Sequence, residues 1–291
     1  MFFHRRLSPE PRCQTAQQNR SAKYKSAIFR GSGNLILSNS LASFIGGGQS
    51  NTIGLVSGFG SWNAYNSVIA GGFGNSALRD LSSIGGGTFN ISEGTAGTIA
   101  GGQRNRVAAP YTTIGGGFGN TVAATNLPES SGFDEQGRSA AATISGGSGN
   151  TASGFKSTVG GGENNLVSGG HSVIAGGRAN TLEGGESVLV GGFENRVANT
   201  ERSALVGGFQ NTIAESASAF SISDTFIGGG RQNTITNTAD GAVISGGIRN
   251  TNSGTNATIP GGFLNEAKGN NSFAVGAQAK AEHNGTFVWG G

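Results

Sequence analysis

The sequence predicts an all-β protein, a parallel β-roll or β-solenoid built from stacked coils. A motif of the form Ser-x-Ile-x-Gly-Gly-x-x-Asn-x, followed by Ile, Val, Leu or Ala, recurs from residue 43 to the end of the chain. A fixed short period with glycines in register is typical of stacked coils and not of a globular core with a cleft. The repeat asparagines, most of them 15 residues apart, are Asn51, Asn75, Asn90, Asn105, Asn120, Asn150, Asn165, Asn180, Asn195, Asn211, Asn233, Asn250 and Asn265.

Each coil is expected to contain two short strands. The first follows the repeat serine, as at Thr98–Ile99, and the second follows the repeat asparagine, as at Arg106–Val107. We call them the Ser-led and Asn-led strands. Alternation of small, β-branched and aliphatic residues favours strands, and the Gly-Gly pair between them favours a corner with positive φ or close backbone approach. Asparagine suits a turn because it tolerates left-handed backbone, and stacking would align the asparagines into a hydrogen-bonded ladder.

Composition excludes several classes of protein. Glycine supplies 55 of 291 residues and proline only 5, without the period of collagen. Charged residues make up 12% of the chain, which argues against ordinary disorder. Residues 1–30 carry seven basic residues and one acidic residue, a net +6, and the rest carries 12 basic and 15 acidic, a net −3. The body therefore has no basic face for nucleic acid.

The chain is expected to act outside a membrane. Cys13 is its one cysteine, so no intrachain disulfide forms. No stretch reaches the roughly 18 apolar residues of a membrane helix. The N-terminus lacks the apolar run of a secretory signal. If the protein works outside the cell or on the surface of a particle, it is therefore expected to be exported without a recognisable signal peptide.

Three regions are expected along the chain. Residues 1–30 form a basic docking or anchor segment, residues 31–270 the repeat rod, and residues 271–291 a terminating coil and cap. Asn34 lies in the repeat position of a first partial coil, and about fourteen coils at ~4.8 Å per step predict a rod of roughly 65 Å. A leader without fixed structure is the alternative for residues 1–30. The residues expected to dock are Phe2, Phe3, Arg5, Arg6 and Arg12.

The thin core predicts association between copies. Each coil offers about two large inward side chains, so a single roll should leave a weakly buried sheet face. The residue after the inward aliphatic residue is small in most coils, for example Gly85 and Ala100, which permits close approach of another chain. We expect the rolls to associate side by side, most simply as a homotrimer, although composition alone does not select three.

Phenylalanine follows the Gly-Gly pair in several coils, where other coils have Gln, Glu or Arg. A position that accepts both Phe and Arg is expected to be a corner that packs against a neighbouring chain in some coils and reaches water in others. Scattered surface aromatics are the alternative. The candidates for interchain packing are Phe73, Phe118, Phe193, Phe209 and Phe263.

Insertions are confined to one place in the coil, after the Asn-led strand and before the next Ser-led strand. They fall at residues 54–65, 126–140 and 214–223. Insertions that keep the phase must loop out from one edge. Tolerated loop variation is the alternative to a binding role. The candidate receptor contacts are Trp62, Tyr65, Asp134, Glu135 and Arg138.

No catalytic or metal-binding motif is found, so the protein is expected to be no enzyme and to need no cofactor. The chain lacks His-Glu-x-x-His, paired Cys-x-x-Cys and Gly-x-Ser-x-Gly. Calcium-binding roll repeats have a nine-residue period with aspartate ligands, whereas this repeat has 15 residues and a neutral asparagine. Asp134 and Glu135 are adjacent, which does not favour a glycosidase pair.

The runs HSVIAGGRANTL (171–182) and ESVLVGGFENRV (186–197) resemble the head repeats of trimeric autotransporter adhesins. The resemblance covers roughly residues 31–281 and implies left-handed parallel β-rolls with three chains side by side. The family period is commonly 14, and the Gly-Gly-x-x-Asn half is a variant. The stretch NSFAVGAQAKAEHNGTFVW (271–289) is also similar to segments of phage tail-fibre-like proteins that precede a self-cleaving chaperone domain. The family's membrane anchor and stalk are not found here, which favours attachment through the N-terminus.

These observations predict a non-enzymatic trimeric fibre or adhesin-type protein for surface attachment or decoration of a phage-like or injection particle. A host glycan or protein would be its receptor. A purely structural filament or sheath subunit is the main alternative. An ice-binding solenoid would use Thr98, Thr113, Thr143 and Thr158, but Val68, Val173 and Val188 interrupt that array. A glycan-cleaving tip enzyme is the third alternative.

Overall fold

The structure, a computed structural model, describes residues 18–19, 25–37, 40–54, 63–123, 141–214, 222–236 and 239–291, with side chains from residue 25 onward. It is an all-β parallel solenoid of about 15 turns, and its described residues contain no helix. Two sheets of sixteen parallel strands run along the stack, and each turn contributes one strand to each sheet. At ~4.8 Å per step, fifteen steps give a rod of about 70 Å.

The Ser-led sheet has mostly two-residue strands that pair in strict sequence order. They are Ala27–Ile28, Phe44–Ile45, Val68–Ile69, Ser83–Ile84, Thr98–Ile99, Thr113–Ile114, Thr143–Ile144, Thr158–Val159, Val173–Ile174, Val188–Leu189, Ala204–Leu205, Phe226–Ile227, Val243–Ile244, Thr258–Ile259, Phe273–Gly276 and Phe287–Gly290.

The Asn-led sheet lies across the narrow interior from the first. Its strands are Gln18–Asn19, Leu35–Ile36, Thr52–Ile53, Ser76–Ala77, Ile91–Ser92, Arg106–Val107, Thr121–Val122, Thr151–Ala152, Leu166–Val167, Thr181–Leu182, Arg196–Ala198, Thr212–Ala214, Thr234–Thr236, Thr251–Asn252, Glu266–Ala267 and Lys280–Ala281. A separate pair joins Thr200–Glu201 to Ile222–Ser223. Gln18–Asn19 and Ala27–Ile28 place the start of the stack within the segment assigned above to an N-terminal anchor.

The repeat asparagines form the predicted ladder. The backbone N–H of Asn105 donates to Oδ1 of Asn90 at 3.0 Å, and the N–H of Asn120 donates to Oδ1 of Asn105 at 3.0 Å. The Nδ2 of Asn105 donates to the carbonyls of Gly101 and Gly117. The same pattern runs from Asn34 to Asn265, and each asparagine is buried.

The local backbone at this corner differs from one expectation. The residue before the asparagine takes the left-handed conformation, as at Arg104 with φ 55°, and Asn105 itself does not. The expectation that the asparagine supplies the left-handed residue is therefore wrong. Its side chain points into the interior and forms the hydrogen bonds of the ladder, and the residue before it takes the left-handed conformation instead. The second glycine of the pair behaves as predicted, since Gly102 has φ 88°.

The interior of a single chain is closed. In one coil Ile99, Asn105, Val107, Ala109 and Thr112 are all 0% exposed. The expectation that one roll leaves its sheet face weakly buried is therefore wrong. Hydrogen-bonded asparagine and serine or threonine side chains fill the space that aliphatic residues would otherwise need to fill. The core alone gives no reason for copies to associate, and any such reason must come from the outer surface.

The insertions leave the stack in register. Thr121 pairs with Thr151 across residues 124–140, and Thr212 pairs with Thr234 across residues 215–221. Ile53 likewise pairs with Ala77 across residues 55–62. Each insertion lies between an Asn-led strand and the next Ser-led strand, as the sequence predicted.

Candidate interaction surfaces

The outer side of the Ser-led sheet carries no charged side chain. Each of its sixteen strands presents two outward positions, the residue before the inward aliphatic residue and the residue after it, which gives 32 positions, all described. None is Asp, Glu, Lys or Arg. We call this surface the charge-free face. Typical pairs are Ser83/Gly85, Thr98/Ala100, Thr113/Gly115, Thr158/Gly160 and Val188/Val190.

The outer side of the Asn-led sheet is different. Among the described residues, its equivalent positions include eight charged ones, and several of these form ion pairs between adjacent coils. Arg196 Nη2 lies 2.8 Å from Glu183 Oε2, and Arg106 pairs with Glu93 in the same way. These charges are part-exposed, so they mark a solvated surface. The eight residues are Glu93, Arg106, Glu183, Arg196, Glu266, Lys268, Lys280 and Glu282.

Exposed large apolar side chains also concentrate on the charge-free face. Among the described residues, it holds nine of the sixteen large apolar side chains that are exposed, and the Asn-led face holds none. The remaining seven lie at the two corners of the coil. The nine are Phe29, Phe44, Val68, Val188, Val190, Val206, Phe226, Phe287 and Trp289.

The dimensions of the charge-free face suit a protein interface. A surface about 70 Å long and about 10 Å wide has an area of roughly 700 Å². A stable interface buries about 800 Å² on each partner. A flat, uncharged, partly apolar surface of that size is typical of surfaces covered by another protein.

Glycines on this face have a second explanation, within the chain. A Cβ at Gly85 would lie 2.3 Å from the carbonyl oxygen of Ala100 in the next coil, and one at Gly115 would lie 2.3 Å from that of Ser145. Close stacking of coils therefore requires glycine at these positions, whether or not a partner approaches. Small residues here are weaker support for association than the absence of charge.

The Gly-Gly corner holds the five predicted phenylalanines in a third parallel ladder of isolated bridges. Phe193 and Phe209 are half-buried and stack at 5.4 Å between ring centroids. The guanidinium of Arg178 lies 4.2 Å from the Phe193 ring centre, and that of Arg231 lies 5.6 Å from Phe209. These two rings are thus packed by their own chain, in a stack of two phenylalanines between two arginines.

The other three predicted phenylalanines are more exposed: Phe73 by 38%, Phe118 by 46% and Phe263 by 41%. Phe73 packs edge-on against Phe89 at 5.1 Å. They remain candidates for interchain packing. Since these aromatics sit among arginines and glutamines, this corner is a mixed surface and not a continuous apolar one.

A polar ladder runs beside the stacked phenylalanines. Gln210 Nε2 donates to Glu194 Oε2 at 2.8 Å, and Gln232 Nε2 donates to Gln210 Oε1 at 3.0 Å. Arg249 Nε then donates to Gln232 Oε1 at 3.0 Å. Four coils are therefore tied together at the corner surface by side chains that sequence reasoning did not single out.

Most of the predicted receptor-contact and docking residues lie outside the described residues. This holds for Trp62, Asp134, Glu135 and Arg138, and for Phe2, Phe3, Arg5, Arg6 and Arg12. Tyr65 is described: it is half-buried at the insertion edge, and its backbone N–H donates to Asp80 Oδ1 at 2.7 Å. The described ends of all three insertions lie at that edge.

An ion pair marks the base of one insertion. Arg202 Nε lies 2.9 Å from Asp224 Oδ1, next to the described ends of residues 215–221. The hydrogen bond from Arg202 lowers the pKa of Asp224, and the same bond raises the pKa of Arg202. Both side chains are half-exposed, so the pair is a surface contact.

The described residues hold no group of three His, Cys, Asp or Glu side chains placed to bind a metal ion. Nor does the described part of the chain include a helix long and apolar enough to cross a membrane. Comparison of the chain with models of protein families and with curated proteins finds no match.

Proposed function

We propose that the protein is a non-enzymatic rod that associates side by side with copies of itself, as a homotrimer, through the charge-free face. The observation that supports this most strongly is the contrast between the two sheets. Thirty-two outward positions of one sheet carry no charge, whereas the described outward positions of the other sheet include eight charged residues. Turning the uncharged surfaces toward each other would remove their apolar side chains from water and leave the ion-paired surfaces solvated.

In this arrangement the rod acts as a fibre or adhesin-type protein. The insertion edge of each copy faces outward, so three copies of each loop contact a receptor together. Weak contacts then combine into useful avidity. The part of the basic segment 1–30 that precedes the first strand, Gln18–Asn19, would dock the rod to a larger particle, and the protein would lie outside the cell or on the particle surface.

Charge placed on the uncharged sheet tests this arrangement. Val188 is 41% exposed on the charge-free face, and Thr181 holds the equivalent outward position on the Asn-led strand of the preceding coil. We expect Val188→Glu to shift the native mass from an oligomer to 29.1 kDa, because burying an unpaired carboxylate is costly. Thr181→Glu should leave the mass unchanged. Equal masses for the parent and both variants would argue against the proposed interface.

Attachment is tested separately from assembly. Deletion of residues 126–140 removes the longest insertion at a point where Thr121 and Thr151 already pair. An array of surface glycans, probed with the parent and the deletion variant, should show binding by the parent that is reduced in the variant. Binding by neither protein, or equal binding by both, would leave assembly intact but contradict a receptor role for this loop on glycans. Indefinite rods in electron micrographs would favour a structural filament instead.

A further inference from the structure

From Ser83 to Thr158 the charge-free face is too repetitive to fix how two copies align along the rod. From Ser83 to Thr158 the column before the inward residue is Ser, Thr, Thr, Thr, Thr, and all pair in register within the chain. A shift of one coil, about 4.8 Å, would place nearly identical residues against each other. Register is weakly specified where a flat surface presents the same residues at every step.

The C-terminal end of the face breaks this repetition. Phe273 and Phe287 occupy the column that holds Thr258 in the preceding coil, and their rings stack at 4.9 Å. Trp289 occupies the neighbouring column. Phe287 is 65% exposed and Trp289 is 73% exposed. We call Phe273, Phe287 and Trp289 the C-terminal aromatic patch.

The backbone under this patch is also distinct. The strands Phe273–Gly276 and Phe287–Gly290 have four residues each, whereas the other strands of this sheet have two. All four residue pairs are in register, from Phe273 with Phe287 to Gly276 with Gly290. The aromatic side chains therefore stand on the most extensively paired part of the sheet, which gives them a fixed position.

Two of the other three aromatics on the charge-free face, Phe44 and Phe226, are arranged differently. The Phe44 ring lies over Gly46: a Cβ at Gly46 would be 3.3 Å from Cε1 of Phe44. Phe226 lies over Gly228 in the same way. These rings cover a gap in their own coil. Phe287 and Trp289 stand two residues apart on one strand and project from the face together.

We propose that the C-terminal aromatic patch sets the axial register between copies of the chain. This inference rests on the proposed side-by-side association. When equivalent coils of the copies lie side by side, which we call level copies, the aromatic patches of all copies meet and bury their rings against each other. A shift of one coil would place Phe273 of one copy against Thr258 and Pro260 of another and leave one copy's Phe287 and Trp289 beyond the end of its neighbour, in water. A second copy is the partner because the patch continues the two columns of a face whose area already matches a stable interface.

Disulfide trapping with the full chain tests the register. In a Cys13→Ser background, one population carries Thr113→Cys and another carries Thr158→Cys, two coils apart on the charge-free face. The two are refolded together and oxidised mildly, and the bridged peptides are identified by mass spectrometry. A disulfide requires Cα atoms within about 7 Å. Level copies should therefore give bridges between like positions and no bridge between residues 113 and 158.

The aromatic patch is then removed by Phe287→Thr with Trp289→Ser. We expect the copies to remain associated and folded, but mixed 113–158 bridges should rise to the level of the like-with-like bridges. Phe287→Leu with Trp289→Leu keeps apolar bulk and should retain like-with-like bridging. Phe193→Thr with Phe209→Thr removes two stacked rings that are packed by their own chain at the Gly-Gly corner; it is the matched control and should not change the pattern.

Native mass separates the two proposals. A parent chain that runs at 29.1 kDa would contradict the association itself. An associated parent that already forms mixed bridges, or that forms no like-with-like bridges, would overturn the register inference alone. So would a double aromatic variant that is associated and keeps the parent's bridging pattern.

Discussion

Asn105 and Asn120, fifteen residues apart in the sequence, are joined by a hydrogen bond from the backbone N–H of Asn120 to Oδ1 of Asn105, at 3.0 Å. Both side chains are 0% exposed. The Nδ2 of Asn105 reaches the carbonyls of Gly101 and Gly117, at 3.0 and 2.9 Å. One side chain therefore bonds its own coil and the next coil, and repetition of this pattern ties the rod together along its length.

Replacement of this amide by an apolar side chain should destabilise the rod at any pH. Asn105→Leu leaves the N–H of Asn120 buried without its acceptor, so we expect a loss of about 1–3 kcal/mol in the free energy of unfolding. Thr121→Ala, which changes an outward side chain on the adjoining strand, should remain within about 0.5 kcal/mol of the parent. Denaturant unfolding measures both, and equal effects would contradict the role assigned to the ladder.

Replacement by aspartate should make the loss depend on pH. Burial and the two facing carbonyls raise the pKa of the new carboxyl above its unfolded value of about 3.9. A raised folded-state pKa means that stability is retained below the unfolded value and lost as pH rises. Asn105→Asp should therefore approach the parent near pH 3.5 and fall well below it at pH 7. The Leu variant, followed over the same range, should show a constant difference from the parent.

The two glycines of one pair should respond oppositely to alanine. Gly102 has φ 88°, and a Cβ there would lie 2.2 Å from the carbonyl oxygen of Gly117. We expect Gly102→Ala to cost more than about 3 kcal/mol, because it combines strained backbone with a backbone clash. A Cβ at Gly101 meets nothing within 4 Å. Gly101→Ala should be neutral or stabilise by up to about 1 kcal/mol. Thermal unfolding of the pair separates the two, and similar melting temperatures would contradict the close stacking described here.

Deletion of residues 126–140 should preserve the fold. The strands on either side, which contain Val122 and Ile144, already occupy consecutive coils. The deletion leaves the five-residue spacing that separates Val107 from Thr113 in an intact coil. A shorter connection lowers the entropic cost of closing the loop, so the free energy of unfolding should rise by roughly 1 kcal/mol. Circular dichroism and unfolding curves provide the measurement, and a loss of cooperativity would show that the loop supports the stack.

The Arg202–Asp224 pair should contribute to the acid sensitivity of the rod. Arg202 lowers the folded-state pKa of Asp224. A lowered carboxyl pKa gives stability that is present above the unfolded value, about 3.9, and lost as pH falls through the folded value. Arg202→Ala should therefore lower the melting temperature slightly near pH 7, and the difference from the parent should disappear as the pH falls below about 4. An unchanged acid profile would contradict the contribution of this pair.

The sequence predicted the coil, its two strands and the asparagine ladder, because a 15-residue period with glycines in register leaves few ways to stack. It did not predict that Arg104, and not Asn105, takes the left-handed conformation. Propensity favours asparagine at such a position, but the inward hydrogen bonds of Asn105 require a different backbone. Ile99 and Val107 were expected to point inward, but the complete closure of the interior in a single chain was missed, because the polar side chains that complete the core were not counted as core.

The charge-free face could have been found from the sequence. It appears once the residues on either side of each inward aliphatic residue, such as Thr98 and Ala100, are compared across all coils. The conspicuous glycines and phenylalanines of the repeat pointed to the Gly-Gly corner as the interchain surface instead. The stacking of Phe193 on Phe209 depends on side-chain positions that the sequence does not contain.

Native mass in dilute solution tests the central claim most directly. Multi-angle light scattering of the full chain should give three times 29.1 kDa, or 87.3 kDa, because the uncharged surfaces of three copies cover one another. A folded species of 29.1 kDa, with the charge-free face in contact with water, would contradict the account.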